Sequence, residues 1–195
     1  ILVDIRAPPE VVEAGLLHDV QDHIAPEKIR ELFGAEVLTL IRGEKSIDAI
    51  KAKNTKAEAE TLRKIMLTTV KDIRIIVLKL ANKLDNLRTI KALSLEEQKR
   101  IAQEVLDIYA PLAYRLGIEK IKNDMENLSL EILEPQKYQE IANFLEKQGT
   151  QREKEVEAAI SKIKDIARSN VKIIQIKGRF KHIYSIYKKL KLKNL

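Results

Sequence analysis

Apolar residues recur three and four positions apart through most of this chain, the period of an amphipathic helix rather than the alternation of a strand. The segment APPEVVEAGLLHDV carries Pro8 and Pro9 at its start and Glu10 in its first turn, which predicts a helix. APEKIRELFG predicts a second, with Pro26 in its first turn and Gly34 at its end. AEVLTLIRGE reads as a third, short helix closed by Gly43, and the polar run EKSIDAIKAKNTKAEAE as a loop with partial helix. AETLRKIMLTTVKDI returns to helical spacing through Leu62, Ile65, Met66 and Val70. IRIIVLKLANKLDNLRTIKAL is strongly apolar and is expected to be the central helix. LSLEEQKRIAQEVLDIYAPLAYRLG opens on Ser94 with Glu97 three residues on, a capping box. Pro111 should bend or break that helix and Gly117 should end it.

Two more helical segments follow, IEKIKNDMENLSLEIL and EPQKYQEIANFLEKQ, the latter with Pro135 in its first turn. TQREKEVEAAISKIKDIARSN places Val156, Ile160 and Ile163 at helical spacing among charges of both signs and reads as a solvated connecting helix. After Asn170 the pattern changes. VKIIQIK is short and rich in β-branched residues, which predicts a strand, and beyond Gly178 a basic amphipathic helix begins.

Composition sharpens this picture. Charged residues are 33% of the 195 and aromatics only 4%, so the core is built from Leu, Ile, Val and Ala. There is no cysteine, which excludes disulfides, thiolate metal sites and a cysteine nucleophile, and fits a cytoplasmic protein. No apolar run is long enough to span a bilayer, so no membrane role is expected. The net charge of +7 is concentrated in KGRFKHIYSIYKKLKLKN, while most of the chain before it is nearly balanced. Both ends read as cut: the chain opens inside the apolar ILVDI and stops in a basic helix, so a fragment of a longer protein is expected.

Two stretches carry candidate chemistry. In GLLHDVQDHIAPE, His18 is followed directly by Asp19. Neighbours on a helix point about 100° apart, yet at a helix end imidazole and carboxylate can converge on one ion, a donor set suited to Mn, Fe or Zn. Taken alone, the dipeptide reads more readily as a helix C-terminus with a partly buried histidine. At the other end, Lys181, Ser185 and Lys189 fall on one helical stripe, with Ile183, Ile186, Tyr187 and Leu190 opposite. Led by Arg179, such a stripe suits a triphosphate, because Arg forks onto phosphate oxygens and Lys supplies compact charge. A solvated basic helix, or a nucleic-acid surface stacking bases on Tyr184 and Tyr187, would carry the same pattern.

GLLHDV, then KLANKLDNLRTIKAL, then IYAPLAYRLGIEKIKNDMENLSLEILEPQKY resemble, in that order, the hydrolase domain of the RelA/SpoT homologues, enzymes that make and destroy the alarmone (p)ppGpp. GRFKHIYSIYKK resembles the opening of the same family's synthetase domain. The resemblance implies a mostly α fold: an HD-domain-like helical bundle over residues 1–134 and connecting helices over 135–170. Residues 171–195 would then be the short strand–helix start of an α/β nucleotidyltransferase-like synthetase domain. It implies removal of the 3′-pyrophosphate of (p)ppGpp with Mn²⁺ held by an upstream His, by His18 and Asp19, and by an Asp in the central helix. Asn86 and Thr89 match positions that contact the nucleotide, four and seven residues beyond position 82. Arg179, Lys181, Ser185 and Lys189 match the ATP site of the synthetase, which uses Mg²⁺ to move pyrophosphate from ATP to the 3′-OH of GTP or GDP. Implied partners are ppGpp, GTP, GDP, ATP and, for the longer protein, the ribosome.

Three departures bear on the hydrolase. The upstream His would precede the first residue. The segment after the His-Asp pair is shortened to VQDH, so Asp22, beside Gln21, is the catalytic candidate where the family has a Glu-Asp pair. The family pattern LADRLxN stands here as LANKLDN, which puts Asn82 at the metal-binding Asp. An amide matches the carboxylate in shape but not in charge, and Asp85, nearly a turn away, is not expected to replace it. The expectation is a degenerate hydrolase-like domain in a parent that is mainly a GTP pyrophosphokinase. An active Mn-dependent pyrophosphohydrolase and a basic RNA- or ribosome-binding helical module remain as alternatives.

Overall fold

The computed structural model describes residues 1–20, 23–53, 59–69, 71–167, 175–176, 178 and 181–193. These divide into two compact units, Ile1–Leu133 and Glu134–Leu195.

In the first unit a 3₁₀ turn, Val3–Ile5, leads into α1, Pro9–Leu17. Pro9 stands at the first turn of α1, where a missing N–H is harmless, and Val11 and Ala14 face inward. Next comes α2, Pro26–Lys53, interrupted at Gly34, whose φ of 89° lies outside the helical range. The expected stop at Gly43 is not there, and the expected loop over residues 44–53 is helix. Gly43 serves close packing instead: a β-carbon at that position would lie 2.2 Å from Ile75 Cδ1. The buried stripe of Val37, Leu40 and Ile41 continues past it to Ile47 at helical spacing, which carries the helix into the polar run. In α3, Ala59–Thr69, Leu62 and Met66 are buried as their spacing predicts. Val70 lies outside the described residues.

The central helix is α4, Ile73–Thr89, capped by Asp72, whose carboxylate accepts from the Arg74 backbone N–H at 2.9 Å. Ile75, Ile76, Leu78, Leu80, Leu84 and Leu87 bury a broad face of it, because α1, α2 and α7 all pack against it. Next, α5, Leu95–Glu104, starts at Ser94, whose hydroxyl accepts from Glu97 N–H at 3.3 Å and donates to the Glu97 carboxylate at 3.0 Å. The bend expected at Pro111 takes the form of a π-helical turn, Val105–Tyr109, before α6, Ala110–Arg115. Pro111 has no N–H for the carbonyl of Asp107 four residues back, and that carbonyl accepts from the Arg63 guanidinium of α3. Gly117, at φ 72°, ends α6 with Ile118 N–H on Ala113 O and its own N–H on Tyr114 O, a Schellman motif. The unit closes with α7, Glu119–Leu133, which buries Ile121, Met125 and Leu130.

The second unit contains α8, Pro135–Lys147, α9, Gly149–Ala167, and α10, Ile183–Leu192. Both α9 and α10 pack on α8, which buries Ile141. The face of α10 expected to be buried is only half so: Ile183, Ile186 and Tyr187 are half-buried and Leu190 is exposed. Of the expected strand, Val171–Ile174 and Lys177 lie outside the described residues, and Gln175 and Ile176 carry no regular structure. The mostly helical expectation agrees with the fold; no strand occurs among the described residues.

Candidate functional site

The C-terminal end of α1 carries His18. Its Nδ1 lies 2.9 Å from the carbonyl of Gly15, one turn back. A carbonyl only accepts, so Nδ1 carries the proton, and the ring is oriented with Nε2 outward. Nε2 stands 3.2 Å from Oδ2 of Asp19; the imidazole is 29% exposed and the carboxylate 85%. The adjacent pair thus converges because it sits at a helix end.

His18 opens onto a cleft of about 360 Å³ whose walls include Leu2, Gly15, Leu78, Asn82, Asp85 and Arg88. Position 82 of the central helix is therefore brought to the same cleft as His18. Asp85 and Arg88 join it from the next turn, and Arg88 also reaches the Asp124 carboxylate at 3.2 Å. Asn86 and Thr89 do not line the cleft; Thr89 is exposed, and its hydroxyl donates back to Asp85 O at 3.2 Å. Asp22 and Gln21 lie outside the described residues.

Beneath the cleft is a polar group that the sequence pattern did not single out. Glu44 falls on the buried stripe of α2 and is 3% exposed; Lys79 of α4 is 4% exposed. Lys79 Nζ donates to Glu44 Oε1 at 2.8 Å and to Asp48 Oδ2 at 2.7 Å. Asn82 Nδ2 donates to the same Glu44 oxygen at 2.9 Å. The carboxylate decides the orientation of the amide: only the NH₂ can face it, which leaves Oδ1 as the amide atom that the cleft can use. Farther in, burial first, then the carboxylates of Glu104, Asp48 and Glu44, push the Tyr109 hydroxyl well above the ordinary tyrosine range. Lys83 Nζ stands 5.3 Å from the centre of the Tyr109 ring. One signal for this group was present in the sequence. Lys79 is a lone charge inside IIVLKLAN, and a charge on a buried face requires an acidic partner.

Among the described residues, the donor set around His18 does not fit a charge-compensated manganese site. One imidazole and one carboxylate converge, and the third position is a neutral amide whose NH₂ is committed to Glu44. Among the described residues no group of three or more His, Asp or Glu side chains is placed to hold an ion.

In the second unit the like-charged Lys189 lowers the Lys181 pKa below its ordinary value. Between them in the stripe, the Ser185 hydroxyl lies 3.1 Å from the His182 ring. The Tyr184 and Tyr187 rings are 6.0 Å apart, each with a lysine 5.8 Å over it. Arg179 lies outside the described residues.

The profile of the HD domain family matches residues 1–119. The chain belongs to the HD domain family. This HD domain chain is also homologous over nearly its whole length to proteins of the RelA/SpoT type. It is 39% identical to a guanosine-3′,5′-bis(diphosphate) 3′-pyrophosphohydrolase of Spiroplasma citri over 97% of its length. It is 41% identical to a GTP pyrophosphokinase of Myxococcus xanthus over 98%. To the bifunctional (p)ppGpp synthase/hydrolase SpoT of Escherichia coli K12 it is 38% identical over 99%. It spans only 26% of the first two relatives and 28% of the third. Among the described residues no helix is long and apolar enough to cross a membrane.

Proposed function

We propose that this HD domain chain is part of a cytoplasmic enzyme of guanosine tetra- and pentaphosphate metabolism in which the hydrolase-type domain, residues 1–134, has lost its chemistry. One observation carries this reading: Asn82 shares the cleft of His18 but brings no charge to it, being a neutral amide whose NH₂ is held by Glu44. Hydrolysis of a pyrophosphate ester needs an activated water and a carboxylate to steer it. With an amide at position 82 a divalent ion between His18 and Asp19 is poorly compensated. Asp22 then stands alone where the family has an acidic pair.

Residues 135–170 connect this domain to the start of a synthetase domain at 171–195. In the longer protein Arg179, Lys181, Ser185 and Lys189 bind the ATP phosphates, and a Mg²⁺-dependent transfer of pyrophosphate to GTP or GDP follows. The stripe of Lys181, Ser185 and Lys189 supports that assignment, since Lys supplies compact positive charge to phosphate oxygens. The hydrolase-type domain serves the synthetase as packing and regulation, and the ribosome is a partner of the whole.

A second reading keeps the hydrolase active, with Asp85 supplying the missing carboxylate. Its support is that Asp85 lines the cleft of His18. Incubation of the chain and of its full-length parent with ppGpp and Mn²⁺ separates the two. The degenerate reading expects no release of pyrophosphate. Manganese-dependent release, lost in Asp85→Ala, establishes the active one.

A further inference from the structure

The Glu44 carboxylate lies in the interior below the cleft, and its Oε1 accepts two donors, Lys79 Nζ at 2.8 Å and Asn82 Nδ2 at 2.9 Å. We infer that Glu44 is the positioning residue of the cleft: together with Lys79 it selects an amide over a carboxylate at position 82 and fixes the rotation of that amide. The inference rests on reading the cleft as a weakened metal site, and it says why the site is weakened.

Charge at the buried Glu44 carboxylate is what position 82 has to balance. Glu44 and Asp48 carry two negative charges, and the single ammonium of Lys79 is already shared between them. Asp in place of Asn82 would withdraw a donor from Glu44. It would also bring a third carboxylate to the distance now spanned by an N–H···O bond. Glu44 is buried, so a second carboxylate at that separation repels it strongly. Asn82 removes the repulsion and supplies the donor.

The polarity of the hydrogen bond is reversible. A glutamine at position 44 could donate its amide to an aspartate at position 82, while Lys79 keeps Asp48. Positions 44 and 82 therefore change as a unit, and a carboxylate returns to position 82 only when Glu44 gives up its own.

Four versions of the chain test this: the unaltered protein, N82D, E44Q and E44Q/N82D. Each is melted at pH 7 and titrated with Mn²⁺ alone, with the free ion read by electron paramagnetic resonance. The N82D chain is expected to melt clearly below the unaltered protein. Adding N82D to E44Q should cost little. The double variant should bind Mn²⁺ about tenfold more tightly than either the unaltered chain or N82D, the size of effect that residues behind a metal ligand have. The inference is overturned if N82D melts with the unaltered protein, or if N82D lowers the melting temperature as much when added to E44Q as when Glu44 is in place. Equal Mn²⁺ binding by N82D and the double variant also overturns it. Tight Mn²⁺ binding by the unaltered chain would instead sink the reading of the cleft as weakened, and the melting comparison would still decide the role of Glu44.

Discussion

Gly43 of α2 lies so close to Ile75 of α4 that a β-carbon at position 43 would stand 2.2 Å from Ile75 Cδ1 and 2.8 Å from Cγ1. Ile75 is β-branched and buried, so its χ1 cannot swing away freely. Gly43→Ala gains helix propensity of about 1 kcal/mol and meets an overpacking cost of about 1–3 kcal/mol. Net destabilisation is expected in a urea melt. It should be relieved, beyond additivity, when Ile75→Ala is combined with it.

Lys79 is the only cation bonded to the buried Glu44 carboxylate among the described ion pairs. Lys79→Met leaves that carboxylate with Asn82 alone. Breaking a buried pair from one side costs about 3–5 kcal/mol, so a large fall in the denaturation midpoint at pH 7 is expected. A change of only a small fraction of that cost would show that the network carries little.

The Arg74 guanidinium, hydrogen-bonded to Asp72, holds the Asp72 carboxyl below its ordinary value of 3.8. A pKa lower in the folded than in the unfolded state stabilises above the unfolded value and is lost as pH falls through the folded one. Asp72→Ala should therefore cost about 1 kcal/mol at pH 7, mostly as a lost helix cap. The gap between variant and unaltered chain should narrow below about pH 4. Denaturant melts on either side of that value, at about pH 7 and about pH 3, give the comparison, and an undiminished gap in acid would contradict the assignment.

In the full-length parent, Lys181→Ala should lower alarmone synthesis from ATP and GTP about tenfold or more, as expected for a lost cation on a transferring phosphate group. Synthesis equal to that of the unaltered parent would remove Lys181 from the ATP site.

The helices were legible in the sequence where their signals are local. Pro9, Ser94 and Gly117 mark ends that the structure places where the capping rules put them. Gly43 was misread because a glycine that ends a helix and a glycine that admits a neighbour look alike along the chain. Only the partner, Ile75, distinguishes them, and it comes from another helix. The same reason hid Glu44. In a polar run it reads as solvent-exposed, and its burial is decided by Lys79 and Asn82, distant in sequence on another helix. The His18–Asp19 pair is visible in the sequence itself, whereas Asn82 was found because a resemblance pointed to it, not because its spacing from His18 requires a common cleft.

Pro111 deprives the Asp107 carbonyl of its usual donor, and the Arg63 guanidinium, 44 residues earlier, takes that place. Arg115, just past the proline, reaches Glu60 of the same α3 at 3.1 Å. A gap in the hydrogen bonding of one helix has thus become the berth of another. The consequence runs against intuition about proline. Replacing Pro111 by alanine would repair the helix that contains it, since an N–H would return to compete for the Asp107 carbonyl. The element that loses a contact would be α3.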